Sequence, residues 1–233
     1  MEKLIVVKFG GSAIGINGEG LPTILKRIRH LKDDSKVIVV CSAPLTTIND
    51  QKISLTDVIL SLGKDPVNPD ISMEIVYQTY SKILEMVNDD YKEECNKKIN
   101  DMLILASKAL EDAKALGRFE DEIRAKALAY SGEVLMSHVL NYVLKSNGIK
   151  SEPVSLDDWP IITDNNIEST NFVFAQSNKH TKKLEELIKQ NDVVSIGGFI
   201  GKTEDGVITT YERGGSDRTA ADIGILFHKK YDT

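Results

Sequence analysis

One short run constrains this chain more than any other. Lys36–Cys41 read Lys-Val-Ile-Val-Val-Cys, apolar and β-branched almost throughout. A continuous run of this kind suits a parallel strand covered on both faces. What precedes it fits the same picture. Residues 4–7 form a short apolar run that leads into Gly10-Gly11. Leu21, Ile24, Leu25, Ile28 and Leu31 then fall at helical spacing. Strand, glycine loop, helix and strand make a βαβ unit, so the opening predicts a parallel α/β sheet.

The rest of the chain continues the alternation. Residues 49–69 are less regular, with a short helix predicted over 56–62. A helical pattern fills 72–129, with breaks at 88–90 and Gly117. Another helix is predicted over 131–145, stopped by Gly148. Residues 149–154 restart an extended segment, and 159–163 read as a short strand. A helix over 179–190 leads to an apolar strand at 192–196, then a β-branched strand at 207–210 and a last helix over 216–227. The charged residues of the middle helices are most simply a solvated face.

Composition removes several function classes. A net charge of -6 argues against a general nucleic-acid binder. No apolar run is long enough to span a membrane as a helix. Residues 1–7 lack the length and cleavage site of a signal peptide. Cys41 and Cys95 make neither a disulfide framework nor a metal site. His30, His138, His180 and His228 have no metal-ligand spacing. Together these features predict a cytoplasmic protein.

Four constellations could carry chemistry. Lys8-Phe9-Gly10-Gly11-Ser12 delivers a lysine and two glycines from a strand end. Glycines let backbone N–H groups approach a phosphate, and the lysine adds charge; a plain turn is the competing reading. The motif is neither a Walker loop nor a Rossmann fingerprint. Arg213-Gly214-Gly215-Ser216-Asp217 opens the last helix, with Ser216 as a candidate N-cap. Exposed N–H groups there can bind anions, and Arg213 can grip a carboxylate; Asp217 alone could be a dipole-favoured helix-start acid. Ser131-Gly132-Glu133 sits at another helix start, where Glu133 is either a cap or a receptor for an ammonium. Ser42 follows the second strand, at the sheet edge where α/β proteins bind ligands, and Thr56 is a further hydroxyl or a helix cap.

In this order the pieces resemble the amino-acid kinase superfamily and, within it, the aspartokinases. The resemblance runs over the whole chain and is most specific in Gly198-Phe199-Ile200-Gly201, Glu204-Asp205-Gly206-Val207-Ile208-Thr209-Thr210 and Arg213-Gly214-Gly215-Ser216-Asp217. It implies a mostly parallel sheet sandwiched by helices. It implies ATP-dependent phosphorylation of the side-chain carboxylate of L-aspartate, the first step toward lysine, threonine and methionine, with Mg2+ and a homodimeric enzyme. Lys8, Gly10, Gly11 and Ser12, with Gly214 and Gly215, would hold phosphates. Glu133 would bind the amino group of aspartate; Arg213, helped by Ser216, would bind its α-carboxylate. Ser42 and Thr56 would contact substrate near the transferring group, Phe199 would line the pocket through its main chain, and Asp217 would position Lys8.

Three departures from the family pattern stand out. Glu212 precedes Arg213 where a small residue is usual, so an acid beside the arginine could reorient it. Residues 44–54 look like an insertion between Ser42 and Thr56. The family's nucleotide-closing segment and ACT regulatory domains are not found after Asp217. The expectation is therefore a catalytic domain over 1–233 with a complete aspartate lobe, weak nucleotide binding and no feedback inhibition by lysine or threonine. The alternative is a non-catalytic module that keeps the amino-acid loops.

Overall fold

The structure is a computed structural model that describes residues 2–66, 68 and 70–233. Met1, and Val67 and Pro69 in the irregular stretch, lie outside the described residues. The elements follow in chain order: β1 (Leu4–Phe9), α1 (Gly11–Ile14), α2 (Leu21–Lys32), β2 (Lys36–Cys41), β3 (Leu45–Ile48), β4 (Gln51–Ser54), α3 (Leu55–Lys64), α4 (Met73–Leu84), α5 (Asp89–Leu116), α6 (Asp121–Ser131), α7 (Glu133–Ser146), β5 (Ser151–Pro153), α8 (Phe174–Ser177), α9 (Lys182–Gln190), β6 (Val193–Gly197), β7 (Ile200–Lys202), β8 (Ile208–Thr210) and α10 (Gly215–Phe227).

The central sheet has the order β1-β2-β6-β5, and every pairing in it is parallel. Val37 through Cys41 are all buried, as an interior strand between covered faces requires. Helices α2, α7, α9 and α10 pack on this sheet. The long α5 runs against α6 and α7 rather than the sheet; it ends at Gly117, whose φ of +66° closes the last turn.

Three local readings need correction. The start of the stretch read as irregular is ordered: β3 and β4 pair antiparallel across Asn49-Asp50, both at positive φ (49° and 60°). That is the geometry of a two-residue hairpin turn, which suits Asn and Asp. Residues 159–163 form no strand; Ile162 and Thr163 make single bridges to Lys202 and Phe172, and Pro160 has no N–H to give a ladder. Ser216 does not cap α10. Gly214 does, at φ +86°, and Ser216 lies inside the first turn.

The carboxyl ends of β1, β2 and β6 deliver Gly10-Gly11, Ser42-Ala43 and Gly198-Phe199 to one edge. The Ser42 N–H donates to the Phe9 carbonyl at 3.1 Å and the Gly198 N–H to the Cys41 carbonyl at 2.8 Å. The ladder thus continues one step into the loops and fixes them side by side. In open α/β sheets this edge is where ligands bind.

Candidate functional site

A cavity of about 360 Å³ opens at that edge. Its wall includes Lys8 from β1, Ser42 after β2, Thr56 and Asp57 from α3, Glu133 from α7, Phe199 after β6, and Arg213 through Ser216 at the start of α10. The sequence scattered these residues over more than two hundred positions; the parallel topology collects them.

Glu133 is set from below. Gly132 ends α6 and begins α7, and the fully buried Tyr80 of α4 points its hydroxyl at the carbonyls of Ser131 and Gly132, 3.0 Å from each. Gly197 fits against the same turn: a Cβ there would lie 2.8 Å from the Glu133 backbone carbon. Glu133, held by this packing, is 5% exposed. Its Oε1 accepts from the Thr56 hydroxyl at 3.2 Å, while Oε2 is buried without a hydrogen-bond partner. Burial pushes the Glu133 carboxyl up to about 7, partly offset by its own backbone N–H, the Thr56 hydroxyl and the Ala43 backbone. A buried acceptor left open beside a cavity is the arrangement an ammonium would complete.

Thr56 is therefore not a helix cap. Ser54 caps α3, accepting from the Asp57 N–H at 3.1 Å and donating to Asp57 Oδ2 at 2.8 Å. The hairpin that the sequence presented as an insertion carries the chain from Ser42 back to Thr56 at the same cavity.

Arg213 lies at the opposite extreme of burial, its side chain 84% exposed, and its guanidinium donates to Asp57. Glu212 does not reorient it: Ser169 Oγ donates to Glu212 Oε1 at 2.7 Å and holds that acid aside. Ser216 receives the Ser42 hydroxyl at 3.1 Å, tying β2 to α10. Gly198 and Gly215 permit that approach, since a Cβ on either would lie 2.6 Å from Ser216 Cβ and 2.3 Å from Tyr211 Cβ respectively.

Phe199 lines the cavity at φ +67°, a region that costs a bulky residue about 1–3 kcal/mol. Its N–H donates to Thr219 Oγ1 at 3.0 Å and its carbonyl accepts from the Tyr211 N–H at 2.9 Å. The N–H is thus satisfied within the fold, while the carbonyl keeps a second lone pair and the ring is buried.

Lys8 joins the cavity to the glycine loop. Its ammonium lies 3.0 Å from Asp217 Oδ1 and over Gly10, where a Cβ would come within 3.2 Å of it. Gly10, Gly11 and Ser12 sit beside the cavity rather than in its wall, at the start of α1. A Cβ on Gly11 would meet the Ala43 carbonyl at 2.9 Å, so this corner exists only because side chains are missing. It suits a phosphate chain next to Lys8. Among the described residues no histidine lines the cavity, and no group of three or more His, Cys, Asp or Glu gathers as a metal cluster.

Two residues escaped the sequence reading. Arg124, assigned to a solvated helix face, points inward; it donates to Thr210 Oγ1 at 3.1 Å and lies 3.7 Å from Glu168. Asp57 carries no local mark in the sequence that sets it apart. Both also line a second, larger cavity of about 930 Å³ that shares Leu60, Glu168 and Arg213 with the first. The smaller cavity alone holds Lys8, Ser42, Glu133 and Ser216, so it is the candidate site.

Comparison with known proteins agrees with this architecture. A model of the amino acid kinase family matches residues 3–231. The aspartokinase of Rickettsia felis is 36% identical over 100 residues, 43% of this chain and 24% of that protein. A bifunctional aspartokinase/homoserine dehydrogenase of Arabidopsis thaliana is 24% identical over 238 residues, all of this chain and 25% of that protein. The crystal structure of E. coli aspartokinase III in complex with aspartate and ADP superposes with a TM-score of 0.79 at 21% identity, over 97% of this chain and 47% of that one. Clostridium acetobutylicum aspartate kinase gives 0.68 at 20% identity, over 98% and 46%. The chain thus spans about a quarter of the length of these curated relatives and just under half of the solved chains. No described helix is long and apolar enough to cross a membrane.

Proposed function

The chain belongs to the amino acid kinase family, and from that premise we propose that it binds L-aspartate and carries its side-chain carboxylate to phosphorylation by ATP. The observation that carries this reading is the pair of opposite receptors in one cavity: the buried, open Oε2 of Glu133 and the guanidinium of Arg213. An α-amino acid presents an ammonium and a carboxylate on one carbon, and this pair matches both. An N-acylated amino acid would leave Glu133 without a cation.

ATP would supply the γ-phosphoryl group, with Mg2+ arriving on its phosphates. Lys8, Gly10, Gly11 and Ser12 would hold that chain, with Gly214 and Gly215 at the start of α10 facing it, and Asp217 would keep the Lys8 ammonium in place. Ser42 and Thr56 would stand beside the attacking group, with Ser216 helping Arg213 and Phe199 closing the pocket. No general base is needed. An aspartate side chain titrates near ~3.9 and is ionised at neutral pH. The residues' task is to bring two anions together, by position and positive charge. Residues 1–233 would then form the amino-acid-recognising part of a kinase that works as a pair of identical subunits in the cytoplasm.

The test is calorimetric titration of L-aspartate, and separately of Mg-ATP, into wild type and Arg213→Ala. Aspartate is expected to bind wild type and to lose about 10- to 100-fold in affinity with Arg213→Ala, the range for a hydrogen bond to a charged partner. Aspartate binding without any response to Mg-ATP would move the reading to a non-catalytic amino-acid-binding module. A wild type that ignores aspartate would remove the substrate assignment.

A further inference from the structure

The first turn of α3 touches both receptors of the site at once. Thr56 gives its hydroxyl to Glu133 Oε1 at 3.2 Å, as a substrate ammonium would. The next residue, Asp57, gives a carboxylate oxygen to the Arg213 guanidinium, as a substrate α-carboxylate would. We propose that Asp57 sets carboxylate recognition in this site: it occupies Arg213 as an internal stand-in, and an α-amino acid binds by displacing it. The inference rests on the reading of Arg213 as the α-carboxylate receptor.

Asp57 is built for this part. Its Oδ2 accepts from Ser54 Oγ at 2.8 Å, and its own N–H donates back to Ser54 Oγ at 3.1 Å. This reciprocal capping pair fixes the carboxylate on the helix and leaves Oδ1 to face Arg213. Arg213 is the movable member. It is 84% exposed, it adjoins Gly214 at φ +86°, and among the described residues Asp57 is its hydrogen-bond partner. The two line both cavities, so their contact forms part of the wall that a change in pairing would alter.

The competition has a definite size. An exposed pair of this kind contributes little, so displacing Asp57 weakens binding of an α-carboxylate by about two- to five-fold. A ligand that keeps the ammonium and the reacting carboxylate but lacks the α-carboxylate makes no claim on Arg213. β-Alanine is that ligand.

The experiment titrates L-aspartate into wild type, Asp57→Asn and Ser54→Ala, and measures β-alanine by its displacement of aspartate. Asp57→Asn is expected to tighten aspartate about two- to five-fold and to leave β-alanine unchanged, with the gain shrinking as salt is raised. Ser54→Ala, which frees the carboxylate from its anchor, is expected to act in the same direction by less. If aspartate binds wild type but Asp57→Asn leaves its affinity unchanged or weakens it, or if β-alanine gains as much as aspartate, the stand-in role is overturned and the substrate reading survives. If wild type binds neither aspartate nor any other α-amino acid tried, both fall together.

Discussion

The two ends of the proposed amino-acid receptor are made in opposite ways. Glu133 is 5% exposed, seated on a helix junction braced by Tyr80 and Gly197, and its carboxyl is pushed up to about 7 by burial. Arg213 is 84% exposed and stands on a glycine loop, paired with an acid from another helix. At Glu133 the desolvation cost is borne by the fold before any ligand arrives, so the position of the charge is fixed and its protonation is soft. At Arg213 the charge is permanent and its position is soft. One end should therefore be sensitive to packing and pH, the other to competing anions and salt.

The largest effect should come from the packing under Glu133. Gly197→Ala places a Cβ 2.8 Å from the backbone carbon of Glu133 and from the backbone nitrogen of Val134. Neither atom can swing aside as a side chain would. Overpacking of this kind costs about 1–3 kcal/mol, and the upper end of that range is expected when the neighbour is backbone. Denaturant unfolding should show that loss, and aspartate affinity should fall with it. A fully stable Gly197→Ala protein would mean that the α6–α7 junction is pliable and that Glu133 is no more rigidly placed than Arg213.

The next effect is electrostatic and has a defined pH window. The Glu133 carboxyl sits at about 7 in the folded chain against an ordinary value of 4.5. The folded state therefore holds the proton more tightly than the unfolded one. Stability from this source is fully present below about 4.5 and is lost as pH rises through about 7. Glu133→Gln should accordingly stabilise the unliganded protein at pH 8, by roughly 3 kcal/mol at most, and by nothing near pH 4. In the wild type, binding of an ammonium ligand should tighten as pH rises toward 7, because the free carboxyl must give up its proton first. Thermal unfolding and calorimetry across pH 4–8 check both. A pH-independent difference between the two proteins would show that the Glu133 carboxyl stays ionised in the folded chain despite its burial.

The same contrast explains what the sequence revealed. The sheet was legible because β1, β2 and β6 are continuous apolar runs, and the helices because their apolar spacing is regular. Glu133, Arg213, Lys8 and Ser42 could be singled out because each sits at a strand end or helix start marked by glycine or serine. The hairpin at 45–54 was missed although Asn49-Asp50 carried its turn signal, because a following glycine, the stronger mark, is absent. Ser216 was misread as a cap because Gly214 can take φ +86° and do the job by backbone alone. Asp57 and Arg124 were invisible for a different reason. Their partners Arg213 and Thr210 lie 156 and 86 residues away, and nothing local distinguishes a charge that faces inward from one that faces water. Tyr80 likewise reads as one more apolar position until its hydroxyl finds the carbonyls of Ser131 and Gly132.

The smallest stability change is expected at Arg213. Arg213 has one hydrogen-bonded partner among the described residues and is mostly in solvent. Exposed ion pairs contribute about 0.2–1 kcal/mol, and less in salt. Arg213→Ala should therefore leave the free energy of unfolding in urea within about 1 kcal/mol of wild type, even as it removes most of the affinity for aspartate. A residue that matters for the ligand and hardly at all for the fold is held in place for recognition. If Arg213→Ala instead costs about 2 kcal/mol or more, beyond what an exposed pair supplies, the guanidinium is a structural tie between α3 and α10. Asp57 would then be its permanent partner rather than a place-holder, and the receptor would have two rigid ends instead of one.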